Sequence, residues 1–314
     1  MTEETAFPNL DPLLRQAHQS ILAFQYAEAR ESFSLFDSQE AKPSTYNHIC
    51  RRLLEAQLER SAGRPRSAEE ILRALLDDMS THLAPELTND LSLLRVGVQD
   101  ELGTVLMNQG KFPESEALLR HTLELSIALR GETDPGCTES MNSLALVLLS
   151  QGKYAEAEAL LHRSLAILEE ALGADHFACA EPLHTLGLVL SDQRRYAEVQ
   201  GVLRRALAIK EKALGPDHPA LCVTLSNLAG NLLTLGMAAT AEPLVKRALV
   251  IAEHEFGPHD QEVGQILAQL TGIQAALGDR AARTTAERAE RVLRQNFGSD
   301  HPMSKQMRVF LKQL

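Results

Sequence analysis

Four short stretches of the sequence set an acid beside an imidazole: "LGADHF" at 172–177, "LGPDHP" at 214–219, "FGPHDQ" at 256–261 and "FGSDHP" at 297–302. Asp and His together ligate metals and relay protons, so each stretch could be a small catalytic or metal site. Their spacing argues otherwise. Gly173, Gly215 and Gly257 are 42 residues apart, and Gly298 lies 41 beyond Gly257. Ligands around one ion sit about 2.0–2.2 Å from it, whereas packed helices are separated by about 8–10 Å. Equivalent histidines of successive copies therefore cannot share an ion, and one Asp-His pair supplies too few ligands. The chemistry expected is that of a helix boundary. Gly ends one helix, Asp accepts a backbone N–H at the start of the next, and Pro fits the first turn. A further copy, "LRGETDPG" at 129–136, lacks His yet keeps Asp134-Pro135.

The remaining reactive side chains form no constellation. Cys50, Cys137, Cys179 and Cys222 are far apart without CxxC pairing, and Cys137 and Cys179 share the 42-residue spacing. They read as small buried residues near the start of helices and as reduced thiols, which suits a cytoplasmic protein. His121, His162 and His184 read as helix-surface residues. No P-loop, GxGxxG or HExxH is present, so neither an enzyme nor a bound cofactor or metal is expected. A formal net charge of −11 without a basic stripe disfavours nucleic acid and anionic membrane as partners. The densest basic run, Arg280 to Arg294, also carries Glu287 and Glu290. No apolar stretch approaches the ~18–20 residues of a membrane span, and the acidic start "MTEETAFPNLDPLL" does not read as a secretory signal.

The elements that position these residues repeat. "QGKFPESEALLRHTLELS" at 109–126, "QGKYAEAEALLHRSLAIL" at 151–168, "QRRYAEVQGVLRRALAIK" at 193–210 and "LGMAATAEPLVKRALVIA" at 235–252 align in steps of 42. A degenerate copy, "LGDRAARTTAERAERVLR", follows at 277–294. Each copy carries two amphipathic helical patterns, for example Leu144, Val147 and Leu148, then Ala157, Leu160, Leu161, Leu165 and Leu168. Between the two lies a glycine suited to positive φ (Gly110, Gly152, Gly236, Gly278). Arg194 breaks that column and must tolerate the turn or shift it. The absence of Trp and the 4% aromatic content suit a core of small aliphatic side chains between close helices.

A first helix with Leu-Gly or Leu-Ala, a "GKY" turn, then "AEA..L...AL" resembles the tetratricopeptide repeat (TPR). The 42-residue length, "NLA" and the "LGPDHP" linker are similar to the repeats of kinesin light chains and their bacterial relatives. The resemblance implies an all-α fold, an α-solenoid forming a right-handed superhelix of about seven helix pairs plus a C-terminal capping helix. Residues 1–85 read as two divergent pairs, with first helices at 10–22 and 44–61, second helices in 24–36 and 62–76, and Pro43 near a helix start. Residues 86–300 form five repeats, and 301–314 hold the capping helix at about 302–313. One continuous solenoid is expected.

The resemblance further implies a concave groove, lined by first helices, that binds a peptide or helical segment of a partner protein. The residues expected to line it are Asp100, Glu101, Asn142, Ser143, His184, Thr185, Asn227 and Gln269, with Glu139 and Glu181 one turn earlier. Asn142 and Asn227 each supply half of the family's paired-Asn pattern, and His184-Thr185 departs from it. An Asn can bond both N–H and C=O of a peptide. The acidic columns disfavour the acidic tails and cargo motifs that related grooves take, and point to a basic or mixed apolar segment. The missing coiled-coil heptads argue against a motor subunit. The expected function is a non-catalytic scaffold or adaptor. The alternative is a peptide- or ligand-gated regulator whose superhelix changes pitch on binding. The charged end repeat near 280–297 suggests a monomer.

Overall fold

The computed structural model describes residues 10–22, 26–39, 45–81 and 89–313; residues 1–9, 23–25, 40–44 with Pro43 among them, 82–88 and 314 lie outside them, and with them the expected helix starts at 24 and 44. Among the described residues there are fifteen α-helices and no strands. They fall into two compact units, residues 1–171 and 172–314.

The first unit contains α1 (Pro12–Leu22), α2 (Tyr26–Gln39), α3 (Thr45–Ser61), α4 (Pro65–Thr81), α5 (Asn89–Asn108), α6 (Phe112–Arg130), α7 (Thr138–Ser150) and nearly all of α8 (Tyr154–Leu172). Odd-numbered helices are the first members of pairs, and α1 touches α3, α3 touches α5, and α5 touches α7. The first helices therefore form one face. Leu14, Phe36, Ile49, Leu54, Leu72 and Leu106 fill the core beneath it. The second unit contains α9 (Ala180–Asp192), α10 (Tyr196–Leu214), α11 (Leu221–Thr234), α12 (Ala238–Phe256), α13 (Gln261–Ala276), α14 (Ala281–Phe297) and α15 (Pro302–Leu311). Among the described residues these helices make seven pairs and a closing helix, as the resemblance implies.

Within a pair the turn follows one recipe. Gly110, Gly152, Gly236 and Gly278 have φ between 69° and 75°, and the residue after each donates to a carbonyl five residues back, as Lys111 does to Leu106 at 2.9 Å. This is the Schellman closure. Arg194 makes the same closure at φ 60°, with Arg195 N donating to Leu190 O at 2.9 Å. It tolerates the turn, at a cost of about 1–2 kcal/mol for an L-residue in that region.

The joints between pairs correct the sequence reading. The cap is whichever side chain stands three residues after the glycine. Asp134 Oδ1 accepts from Gly136 N at 2.7 Å and Asp260 Oδ1 from Glu262 N at 2.8 Å. In the Asp-His copies, histidine is the acceptor. His176 Nδ1 takes the N–H of Ala178 at 3.2 Å, His218 Nδ1 that of Ala220 at 3.1 Å, and His301 Nδ1 that of Met303 at 3.3 Å. Asp217 therefore leaves the capping to its neighbour. An arginine then clamps the linker, with Arg205 donating to Ala174 O at 2.6 Å and Arg247 to Pro216 O. His218→Ala is expected to lower stability by about 1 kcal/mol, the usual worth of an N-cap, and His218→Asp to restore it. Urea midpoints equal for both variants and the parent would show that the imidazole bond contributes nothing.

All four cysteines are buried and none is in a disulfide. Burial pushes the Cys50 thiol up to about 12 and Cys222 up to about 11, which leaves both as inert packing groups.

Candidate functional site

The first-helix face of the first unit holds a recess of about 320 Å³. Tyr46 and Leu53 of α3, Leu94, Val96, Asp100 and Glu101 of α5, and Glu139 and Ser143 of α7 are among its walls. Its lining carries Asp90, Asp100, Glu101 and Glu139 against Arg130.

These carboxylates are held differently. Glu101 Oε1 takes Arg60 Nε at 2.5 Å. Asp100 is 5% exposed; its Oδ2 accepts the Ser140 hydroxyl at 2.6 Å, and its Oδ1 has no hydrogen-bond partner. Burial, then the charges of Glu139 and Glu101, push its carboxyl well above the usual range, against the Ser140 bond. Glu139 is itself exposed, yet it lines a recess whose walls strip part of its hydration. That loss, and then Glu101, raise its carboxyl against the pull of Arg130. Asn142 is half-buried, with its Oδ1 unpartnered.

In the second unit the expected residues serve packing as well as surface. His184 is buried, a correction to its reading as a surface residue. Its Nδ1 lies 3.4 Å from Thr224 Oγ1 and its Nε2 3.3 Å from Asn227 Nδ2, so it ties α9 to α11. Burial, followed by the Lys210 charge, lowers its pKa against the opposing Glu181. Lys210 is buried on α10 and pairs with the exposed Glu181 at 2.7 Å. Thr185 is 1% exposed and offers no surface to a ligand, because the close approach of its neighbours encloses a side chain this small.

Asn227 and Gln269 do line a cleft, of about 190 Å³, with Ser226, Asn231 and Thr234. No charged side chain contributes to its walls. Gln269 Nε2 donates to Ser226 O at 2.7 Å. Asn231 donates to Tyr196 O at 3.1 Å and keeps an unpartnered Oδ1. Asn231 was not among the residues expected from the sequence. Its place four residues after Asn227, on the same helix face, was the signal available.

Among the described residues no three His, Cys, Asp or Glu side chains converge on a possible metal position, and no helix is long and apolar enough to cross a membrane.

The tetratricopeptide repeat family model matches residues 95–170 and 137–212. No curated protein sequence matches the chain. Among solved structures, a Podosopora anserina protein described as a kinesin light chain with nearly identical TPR-like repeats is 21% identical, with a TM-score of 0.56, covering 65% of this chain and 97% of that one. A Rap protein complexed with Competence and Sporulation Factor is 14% identical with a TM-score of 0.59, covering 96% and 86%. The quorum sensor NprR from B. thuringiensis, in its apo form, is 13% identical with a TM-score of 0.63, covering 96% and 80%. At these identities the likeness is one of fold. Across residues 95–212 the chain is built of tetratricopeptide repeats, and its fold resembles that of a kinesin light chain-like repeat protein.

Proposed function

We propose that this protein is a non-catalytic interaction protein that takes an extended peptide segment of a partner on its first-helix faces. The observation that carries the reading is the uncharged cleft of the second unit. Asn227, Asn231 and Gln269 offer amide groups there, and the unpartnered Asn231 Oδ1 is an acceptor suited to a backbone N–H. A buried acceptor left unpaired costs about 1–3 kcal/mol, so a donor brought by a ligand is favoured. Neutral amides recognise the main chain, whose N–H and C=O recur at every residue, and so demand little of the ligand's sequence. The same fold occurs in a Rap protein solved with Competence and Sporulation Factor and in the quorum sensor NprR, which supports a ligand-responsive regulator as the second reading.

Selection of a displayed random-peptide library against the full chain tests the proposal. Peptides are expected to be enriched, and Asn227→Ala combined with Asn231→Ala should weaken them about tenfold or more. Loss of Asn231 leaves the Tyr196 carbonyl without its donor, so melting is monitored in parallel and a drop of a few degrees is allowed for. Enriched peptides that bind this folded variant undiminished, or no enrichment at all, would overturn the reading. A change in the small-angle scattering profile on saturation would favour the regulator over the passive scaffold.

A further inference from the structure

We infer that the recess of the first unit, between α3, α5 and α7, seats the arginine side chain of a peptide ligand, its guanidinium set against Asp100, Glu101 and Glu139. The inference rests on the peptide-binding reading above and names the residue that this site selects.

Three observations converge on it. The lining carries four carboxylates, Asp90, Asp100, Glu101 and Glu139, and the single guanidinium of Arg130; Arg60, outside the lining, engages only Glu101. Arg130 itself lies against Gly136, where a Cβ would stand 2.6 Å from its Nη1, and is 3.8 Å from Asp134, so its charge is shared. The recess is thus electronegative without being neutralised from within.

The second observation is independent of that charge count. Asp100 is 95% enclosed, being 5% exposed, and lines the recess, yet one of its carboxylate oxygens has no partner. Buried polar atoms are nearly always paired, and an exception calls for a missing group. Here the missing group is a donor. Burial and the neighbouring carboxylates raise the Asp100 and Glu139 carboxyls, as expected of acids awaiting a counter-charge.

The third is the shape of the recess. Its walls combine the carboxylates with Leu53, Leu94 and Val96, a setting for a long aliphatic stem with a charged head. A bare metal ion does not fit, because no three of the acidic side chains converge on one position. A planar guanidinium with five donors spans acceptors that do not converge, and arginine does so better than the compact ammonium of lysine.

The test uses the full chain and the peptides enriched by the library selection. They are expected to share an arginine, whose replacement by alanine weakens binding at least tenfold and by lysine less. Glu139→Gln and Asp100→Asn should each weaken the arginine peptide at least fivefold while leaving its alanine version unchanged, and added salt should weaken only the arginine peptide. Glu139 is exposed and asparagine is isosteric with Asp100, so both variants are expected to fold, with circular dichroism as the check. Enriched peptides without a shared cation, or equal affinity in both variants, would overturn this inference and leave the peptide-binding reading standing. Absence of any enriched peptide would overturn both. Spermidine, titrated in parallel, should bind far more weakly than the peptide; equal affinity would assign the recess to free polyamines and sink the arginine assignment.

Discussion

Asp100→Asn is expected to make the protein more stable at neutral pH, because the amide cannot ionise where burial and the charges of Glu139 and Glu101 disfavour a carboxylate. The folded-state pKa of Asp100 is raised, by burial first and then by Glu139 and Glu101. A carboxyl of this kind holds its proton more tightly in the folded chain than in the unfolded one. Its contribution to stability is therefore complete below the unfolded value of about 3.9 and is lost as pH rises through the higher folded value. Asparagine has the same shape, can still accept the Ser140 hydroxyl, and does not ionise. Its advantage should be largest near pH 7 and shrink as pH falls toward about 4. Thermal melts of both proteins across that range check the sign. A variant that melts lower than the parent at neutral pH would mean that the ionised Asp100 is stabilised by something other than the contacts seen. Stability gained together with binding lost is the behaviour of a residue retained for a ligand rather than for the fold.

The second large effect is steric. Gly103 lies where α5 packs tightly against Leu119 of α6. A Cβ there would stand 2.5 Å from Leu119 Cγ and Cδ2, and the Ser115 hydroxyl donates to its carbonyl at 2.6 Å. Gly187 meets Leu203 in the same way, at 2.6 Å. In the equivalent column Ala145 and Ala229 are fully buried, so a single methyl is accommodated in some pairs. Gly103→Leu is expected to destabilise by about 3 kcal/mol or slightly more, at the upper end of overpacking costs. Gly103→Ala should cost less, since better helix propensity returns up to about 1 kcal/mol. Chemical unfolding followed by circular dichroism separates the two. A leucine variant as stable as the parent would show that α6 can move away freely and that the small-residue column does not set the helix spacing.

Much of this architecture was readable from residue types because it is local and repeated. From Gly131 onward a glycine every 42 or 41 residues marks the joints, and Gly110, Gly152, Gly236 and Gly278 at φ 69–75° mark all but the Arg194 turn within those pairs, since few other residues enter that region without strain. Even the true cap was legible. The inverted order of "FGPHDQ" places Asp260 where the other copies place histidine, three residues after the glycine. Counting that offset, instead of favouring Asp by its general capping preference, would have assigned His176, His218 and His301 correctly. Asn231 was legible in the same sense, one turn beyond Asn227.

Other features depend on side chains that meet only after folding. His184 stands in a column with the polar Asp100, Asn142 and Ser226, and nothing local shows that Thr224 and Asn227 lie against its ring. Lys210, on a second helix, gave no sign that it would be buried beside Glu181. Thr185 has the column position of a ligand-facing residue but is sealed by its neighbours. The acidic columns announced a negative face, yet which charges stay available was decided in three dimensions. Arg60 engages Glu101, Ser140 satisfies one oxygen of Asp100, and the other oxygen is left without a partner. The sequence by itself determined the helices, their register and the repeat, because backbone preferences and apolar periodicity act over a few residues. Only the tertiary structure decided which polar groups pair with each other and which remain for a ligand, because pairing depends on distances between helices some forty residues apart.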